Sequence, residues 1–227
     1  MIDASVEPAV YVGFAEERGW RIRHVLDTHV HADHLSRSRR LADVVGAKLY
    51  MPEAAPVSYP HAALADGDAV GVGSSRLTAI RTPGHTAEST SYLLDEQALF
   101  TGDTLFLSAV GRPDLEATPE GAREKAHVLF GSVGRLLGLP SRTLLLPGHT
   151  SEPVPFDGVP LYAALSEVRN RLGPLLEDED RFVQKVAGGV SPTPENYGRI
   201  VELNRTGEQP DGNPTDLEAG ANRCAAG

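Results

Sequence analysis

The stretch DTHVHADH, residues 27–34, places three histidines and two aspartates within eight consecutive positions. It follows the apolar pair Val25 and Leu26, so we expect it at the end of a buried strand. Imidazoles and carboxylates lose hydration when a fold buries them, and each then needs a hydrogen-bonding or charged partner. A metal ion is such a partner. This stretch therefore predicts a fold that surrounds a metal site.

Three later segments repeat one arrangement, in which a short apolar run is followed by a glycine and then by one candidate ligand. The segments are AIRTPGHT, ALFTGDT and LLLPGHT. Glycine allows a sharp turn and a close backbone approach, and α/β proteins build sites at strand ends. Together with residues 27–34 they supply nitrogen and oxygen donors suited to zinc, iron or manganese. The seven candidate metal ligands are His29, His31, Asp33, His34, His85, Asp103 and His149.

The charge balance and the single cysteine limit the classes of partner. The chain has 31 acidic and 21 basic residues, a net charge of −10 that repels phosphate backbones and argues against nucleic acid. No apolar stretch approaches membrane-spanning length, so we expect no membrane partner and a cytoplasmic protein. Cys224 alone cannot form an internal disulfide and fits a reducing compartment.

Length and patterning predict one α/β domain over residues 1–206 and an extended tail over 207–227, where almost nothing apolar is available for burial. Apolar periodicity predicts a helix beginning near Leu35 and another that begins at Thr118 and Pro119. Further helices are expected at 161–172, 178–187 and 194–204. Short strands are expected at 23–28, 48–51, 77–81, 91–95, 98–101 and 143–146.

The order and spacing of the seven candidate ligands resemble the metallo-β-lactamase superfamily, whose signature is His-x-His-x-Asp-His followed by a histidine, an aspartate and a histidine. The resemblance covers nearly the whole chain and implies an αββα sandwich with the metal site at one edge. Family members usually have strands before the segment that appears here as MIDAS. We therefore expect either a start codon placed too late or a first sheet without some of its edge strands.

Within the superfamily, TPGHTAESTSYLL and FTGDTLFLSAVGRPDL look most like persulfide dioxygenases, which are related to glyoxalase II. The Asp114 of GRPDL and the terminal NRCAAG are the sharper similarities. The resemblance implies one Fe(II) per chain bound by His29, His85 and Asp103, with glutathione persulfide and dioxygen giving sulfite and thiol. The other four candidate ligands, His31, Asp33, His34 and His149, would orient the metal ligands.

Three residues are candidate catalytic groups: Asp33, Arg112 and Cys224. Arg112 and Asp114 either brace the loop after Asp103 or form a plain surface ion pair. Cys224 either lines the substrate entrance or is an inert thiol. His24, His61 and His127 fall outside the motif pattern and are interpreted as structural or exposed.

Two other functions are kept beside the dioxygenase. In the first, all seven ligands bind two Zn(II) ions bridged by Asp103 and the chain hydrolyses a thioester, as in glyoxalase II (hydroxyacylglutathione hydrolase). In the second, the chain binds metal and has lost catalysis. Both enzymatic interpretations take a small-molecule substrate, a thiol persulfide or a thioester. The sequence leaves the oligomeric state open, with a homodimer as one alternative.

Overall fold

The computed structural model describes residues 1–150, 154–155, 157–189, 193–210, 212–219 and 225–226. Internal contacts divide the chain into two compact units, Met1–Leu64 with Thr193–Arg223, and Ala65–Pro192 with Cys224–Gly227. The predicted domain over 1–206 with a tail beyond it stays a prediction. Among the described residues, no helix combines the length and the apolarity that crossing a bilayer requires.

Seven helices and eleven strands are formed by the described residues. The helices are α1 Pro8–Glu16, α2 Ser38–Val45, α3 Pro119–Leu137, α4 Leu165–Leu176, α5 Glu179–Gly188, α6 Tyr197–Thr206 and α7 Pro214–Glu218. The strands are β1 His24–Leu26, β2 Lys48–Pro52, β3 Ala62–Leu64, β4 Ala69–Val72, β5 Ser75–Arg81, β6 Thr90–Leu94, β7 Ala98–Phe100, β8 Val110–Gly111, β9 Leu144–Leu146, β10 Ala163–Ala164 and β11 Ala225–Ala226.

The first unit contains a three-stranded parallel sheet in the order β1-β2-β3. Strand β1 is short and ends in two buried apolar residues, Val25 and Leu26. Helix α2 contributes Leu41 and Ala42 to the same apolar core, with Met51 from β2. Because β1 ends at Leu26, the polar residues 27–34 leave the sheet at its carboxyl edge, where parallel sheets build their sites.

The second unit contains a six-stranded sheet in the order β10-β9-β7-β6-β5-β4. Strand β6 is antiparallel to both β5 and β7, and β7 is parallel to β9. Strands β5, β7 and β9 therefore run in one direction and end at one edge. Buried apolar residues of α3, with Leu129 and Val133 at their centre, belong to the core of this unit.

Most of the predicted elements are confirmed, with ends shifted by a few residues. Thr118 caps α3 by accepting a hydrogen bond from the Gly121 N–H at 3.1 Å. Helix α1 was not predicted, because its apolar residues lie on exposed as well as buried sides and show no helical period. The predicted extended tail contains α7 and β11.

The helix expected to begin near Leu35 begins instead at Ser38, and the reason is tertiary. The backbone N–H groups of residues 35, 36 and 37 donate to the Glu218 carboxylate, the Asn204 side chain and the Ala4 carbonyl, at 2.8, 2.8 and 2.7 Å. The first N–H groups of any helix lack a partner within it, so the carbonyls decide where a helix starts. The His34 carbonyl accepts from Asn204 Nδ2 at 2.9 Å and the Leu35 carbonyl accepts from Arg37 Nη1. The prediction of Leu35 inside the helix was therefore wrong, because side chains occupy the carbonyls that the first helical turn would use.

A substitution at Gly84 tests how closely the chain packs at the edge of the six-stranded sheet. Its φ is +138°, and a Cβ atom there would press on the Leu129 backbone, 2.7 Å from its nitrogen. We expect Gly84→Ala to lower the free energy of unfolding by about 3 kcal/mol in urea denaturation. Gly131→Ala is the control, since a Cβ at this α3 position meets nothing within 4 Å. It should raise stability by about 0.5 kcal/mol, and equal losses in both variants would contradict the packing argument.

Candidate metal centre

Residues 27–38 of the first unit form a loop that is closed at its base by Asp27. The buried Asp27 carboxylate accepts hydrogen bonds from the Ser36 hydroxyl at 2.7 Å and from the Ser38 hydroxyl. Both ends of the loop are therefore tied to the point where β1 stops. Asp27 was not predicted as a functional residue, although it is the first residue of the DTHVHADH motif.

Within this loop His31, Asp33 and His34 form a compact donor cluster. One ligand atom from each lies within 4.8 Å of the others. His34 Nδ1 is 2.9 Å from Asp33 Oδ2, and the His31 and His34 ring centroids are 4.2 Å apart. Among the described residues, His31 Nδ1 and His34 Nε2 are buried and have no hydrogen-bond partner. Since buried polar atoms are normally satisfied, these two nitrogens fit a cation.

The charged side chains around His31 also favour positive charge at this cluster. Burial lowers its pKa, but Asp3, Asp27 and Asp33 outweigh burial and raise the pKa of His31 to about 10. Burial also raises the pKa of the Asp27 carboxyl, whereas His31 holds the pKa of Asp3 below its usual value despite burial. Three carboxylates around one imidazole favour positive charge at this position, carried by the protonated His31 ring or by a metal ion that displaces its proton. Asp3 was not predicted either, because its place beside the loop depends on the bridge between Ile2 and Leu26, which no local sequence pattern records.

Asp3 also determines which nitrogen of His29 carries its proton. The Thr28 hydroxyl donates to Asp3 Oδ2 at 2.9 Å. With its one proton used, that hydroxyl accepts from His29 Nδ1 at 2.8 Å. His29 Nε2 is therefore the nitrogen whose lone pair remains, and the side chain is buried. A histidine oriented through its other ring nitrogen is the usual arrangement for a metal ligand.

The second unit brings His85, Asp103 and His149 together at the edge where β5, β7 and β9 end. Asp103 Oδ2 is 3.8 Å from His85 Nε2, and Asp103 Oδ1 is 3.3 Å from His149 Nε2. Gly148 permits this approach, because a Cβ there would lie 2.6 Å from Asp103 Oδ1. The glycines before the candidate ligands thus have the role that the sequence predicted for them.

The backbone carbonyl of Arg112 orients the His85 ring. His85 Nδ1 donates to the Arg112 carbonyl at 2.8 Å. A carbonyl only accepts, so Nδ1 carries the proton and Nε2 presents a lone pair towards Asp103. Burial lowers the pKa of His85 more than Asp103 raises it, which keeps the ring neutral and able to bind a metal.

The Arg112 side chain is completely buried and pairs with Asp114 in two hydrogen bonds, at 2.8 Å from Nε and 2.7 Å from Nη2. The alternative of a plain surface ion pair was therefore wrong, because the guanidinium has no access to solvent. The pair holds the loop whose carbonyl orients His85.

The described residues place four of the predicted ligands in the first unit and three in the second. His31, Asp33 and His34 cluster in the first, and His85, Asp103 and His149 in the second. His127 is half exposed and lies 2.9 Å from Glu179, as expected for a residue outside the motifs. Cys224, the remaining candidate catalytic residue, lies outside the described residues.

A family model described as the metallo-beta-lactamase superfamily matches residues 1–149, more than half of the chain. The chain belongs to the metallo-beta-lactamase superfamily. The predicted fold class is confirmed by this match and by solved structures of the same superfamily. Metal binding is a property of the superfamily, and both donor clusters have the ligand types it requires.

Three similar proteins illustrate the range of this superfamily. A hydroxyacylglutathione hydrolase of Methylobacterium nodulans is 37% identical over 137 residues, 59% of this chain and 51% of that enzyme. The chain thus spans about half the length of the curated relatives it matches. A metallo-beta-lactamase from Staphylococcus aureus has a TM-score of 0.81 and 27% identity, covering 92% of this chain and 65% of that one. ETHE1 from Myxococcus xanthus has a TM-score of 0.76 and 30% identity, and the match covers 90% of this chain and 86% of ETHE1.

The Arg112–Asp114 pair gives a stability test with a matched control. Asp114→Asn removes the carboxylate that binds a fully buried guanidinium, and we expect a loss of about 2 kcal/mol in urea denaturation. Asp66→Asn is the control, because Asp66 also accepts two hydrogen bonds, at 2.9 and 3.0 Å, from an arginine, but this pair is about half exposed. The free energy of unfolding of Asp66→Asn should fall by less than about 1 kcal/mol. A similar loss in both would refute a special role for burial.

Proposed function

We propose that this chain is a non-haem iron dioxygenase that oxidises glutathione persulfide, or a similar small persulfide, to sulfite and thiol. The observation that carries the proposal is the contact between GRPDL and a candidate ligand. The resemblance to persulfide dioxygenases rests most on Asp114 of GRPDL, which glyoxalase II sequences usually lack. In the structure, Asp114 binds the Arg112 side chain, and the Arg112 carbonyl orients His85. The residue that favours the dioxygenase branch is therefore linked to a candidate ligand through Arg112.

The structural likeness to ETHE1 supports the same interpretation. It extends over 90% of this chain and 86% of ETHE1, whereas the matched hydrolase is covered over only 51% of its length. The structural match to ETHE1 therefore covers a larger share of both chains than the sequence match to the hydrolase does.

In this proposal His29, His85 and Asp103 hold one Fe(II), the two-histidine, one-carboxylate set of non-haem oxygenases. The ion, when bound, supplies the redox chemistry that dioxygen needs to react with sulfur. The chain presents Nε2 of His29 through Thr28 and Nε2 of His85 through the Arg112 carbonyl. His31, Asp33, His34 and His149 orient the centre.

The overall reaction balances without another oxidant. One persulfide, one dioxygen and one water give one thiol, one sulfite and two protons. The sulfur–sulfur bond breaks, the outer sulfur is oxidised by dioxygen, and the inner sulfur leaves as the thiol. The substrate is a small molecule in this proposal, and no macromolecular partner takes part.

A second candidate is the dinuclear zinc thioester hydrolase, and one observation favours it. The donor cluster of His31, Asp33 and His34 has two buried nitrogens that no described residue satisfies, as a second ion would require. Relatives named hydroxyacylglutathione hydrolase, at 36–37% identity, support the same interpretation. In it all seven candidate ligands, Asp103 among them, would hold two zinc ions, which would supply an activated water for thioester hydrolysis.

Metal content and oxygen uptake separate the two candidates. We expect protein purified without added metal to contain about one iron per chain and to consume dioxygen when glutathione persulfide is supplied. Sulfite and glutathione should appear in equal amounts. Two zinc ions per chain, no oxygen uptake and hydrolysis of a glutathione thioester would instead establish the hydrolase.

Substitution of Asp33 gives an independent test. In the dioxygenase, Asp33→Asn should retain iron and measurable oxygen uptake, whereas Asp103→Asn should lose the iron. In the hydrolase, Asp33→Asn should lose one zinc ion and reduce thioester hydrolysis at least about a hundredfold. His127→Ala, an exposed histidine outside the centre, is the control and should change neither metal content nor turnover.

A further inference from the structure

Asn204 of α6 makes a set of hydrogen bonds to the loop that carries the first unit's donors. Its side-chain Nδ2 donates to the His31 carbonyl at 2.8 Å and to the His34 carbonyl at 2.9 Å. Its Oδ1 accepts from the Ser36 N–H at 2.8 Å. The side chain is buried, and both amide protons and the amide oxygen are used.

These bonds connect residues that are far apart in sequence and bracket Asp33. The partners are separated by 168 to 173 positions, so no local preference places Asn204 there. Both bonded carbonyls belong to residues of the donor cluster itself. Holding two carbonyls on one amide group fixes the turn between them and so the relative directions of the His31 and His34 rings.

Glu218 of α7 supports the next residues of the same loop. It accepts from the Leu35 N–H at 2.8 Å and pairs with Arg37 through two contacts, of which Nη2 to Oε2 is 3.1 Å. Arg37 Nη1 also donates to the Leu35 carbonyl, and Asn204 donates to the His34 carbonyl, so the two carbonyls that a longer α2 would use are already bonded. Asn204 and the Glu218–Arg37 pair therefore keep residues 34–36 outside α2.

We propose that Asn204 is a positioning residue for the metal centre, holding the His31–His34 turn so that the donors of this loop face a divalent cation. The inference rests on the proposed function only in requiring that a metal ion binds at this centre. It applies to both enzymatic interpretations, because both need the loop in one geometry. Asn204 itself touches neither metal nor substrate.

The test is the isosteric substitution Asn204→Asp. Aspartate keeps an acceptor for the Ser36 N–H but turns two donors into acceptors that face the His31 and His34 carbonyls. We expect Zn²⁺ affinity, measured on metal-free protein by chelator competition, to fall at least about tenfold. The visible spectrum of the Co²⁺-loaded protein should change as well, since it reports ligand geometry rather than stability.

Asn196→Asp is the matched control. Asn196 precedes the first residue of the same helix without a side-chain capping bond, and its Nδ2 donates to the Leu217 carbonyl at 3.1 Å. The substitution therefore removes a similar amide bond within the same unit. It has no bond to residues 27–38 among its described contacts, and its Zn²⁺ affinity and Co²⁺ spectrum should match those of the unaltered protein. Asn204→Ser, which removes the amide without adding charge, replaces Asn204→Asp if the latter does not fold.

Unchanged zinc affinity and an unchanged cobalt spectrum in the folded Asn204 variant would overturn the proposal. So would an equal loss in the Asn196 and Asn204 variants, because that pattern indicates general destabilisation. Both measurements use zinc or cobalt alone and no substrate. The absence of iron and oxygen uptake would therefore refute the dioxygenase and leave this comparison of affinities intact.

Discussion

The cost of burying ionisable side chains dominates this structure. His29, His31, Asp33, His85 and Asp103 are all buried, and each must recover the hydration it has lost. The chain meets part of this cost with oriented hydrogen bonds and part with opposite charge. The nitrogens of His31 and His34 that remain unsatisfied among the described residues are where a bound cation would contribute the rest. Under the proposed function, folding and metal binding are coupled through these residues.

The two units orient their histidines by the same principle with different groups. His29 is held by a hydroxyl whose own proton is committed to Asp3, and His85 is held by a backbone carbonyl. In both cases the partner accepts a hydrogen bond from the protonated Nδ1 and leaves the Nε2 lone pair for a metal. Each partner residue is in turn bonded to a mostly buried carboxylate, Thr28 to Asp3 and Arg112 to Asp114. The orientation of the two histidines therefore depends on residues outside the ligand motifs.

Much of this centre was predictable because its ligands follow short apolar strands. The strands ending at Leu26, Arg81, Phe100 and Leu146 were all expected, and so were the glycines that let the next residues turn. Asp3, Asp27 and Asn204 were not predicted as functional. Each acts through a hydrogen bond to a residue more than ten positions away, or at the opposite end of a loop, and no period in the sequence records such a bond.

The sequence alone determined the superfamily, the seven candidate ligands and the alternation of strands with helices, because donor type, spacing and apolar patterning are local properties. Only the tertiary structure decided that Arg112 is buried, that residues 35–37 are not helical and that a segment beyond residue 193 holds the donor loop. These outcomes depend on which distant groups satisfy each buried polar atom. That competition is resolved by packing of the whole unit and not by the preference of any single segment.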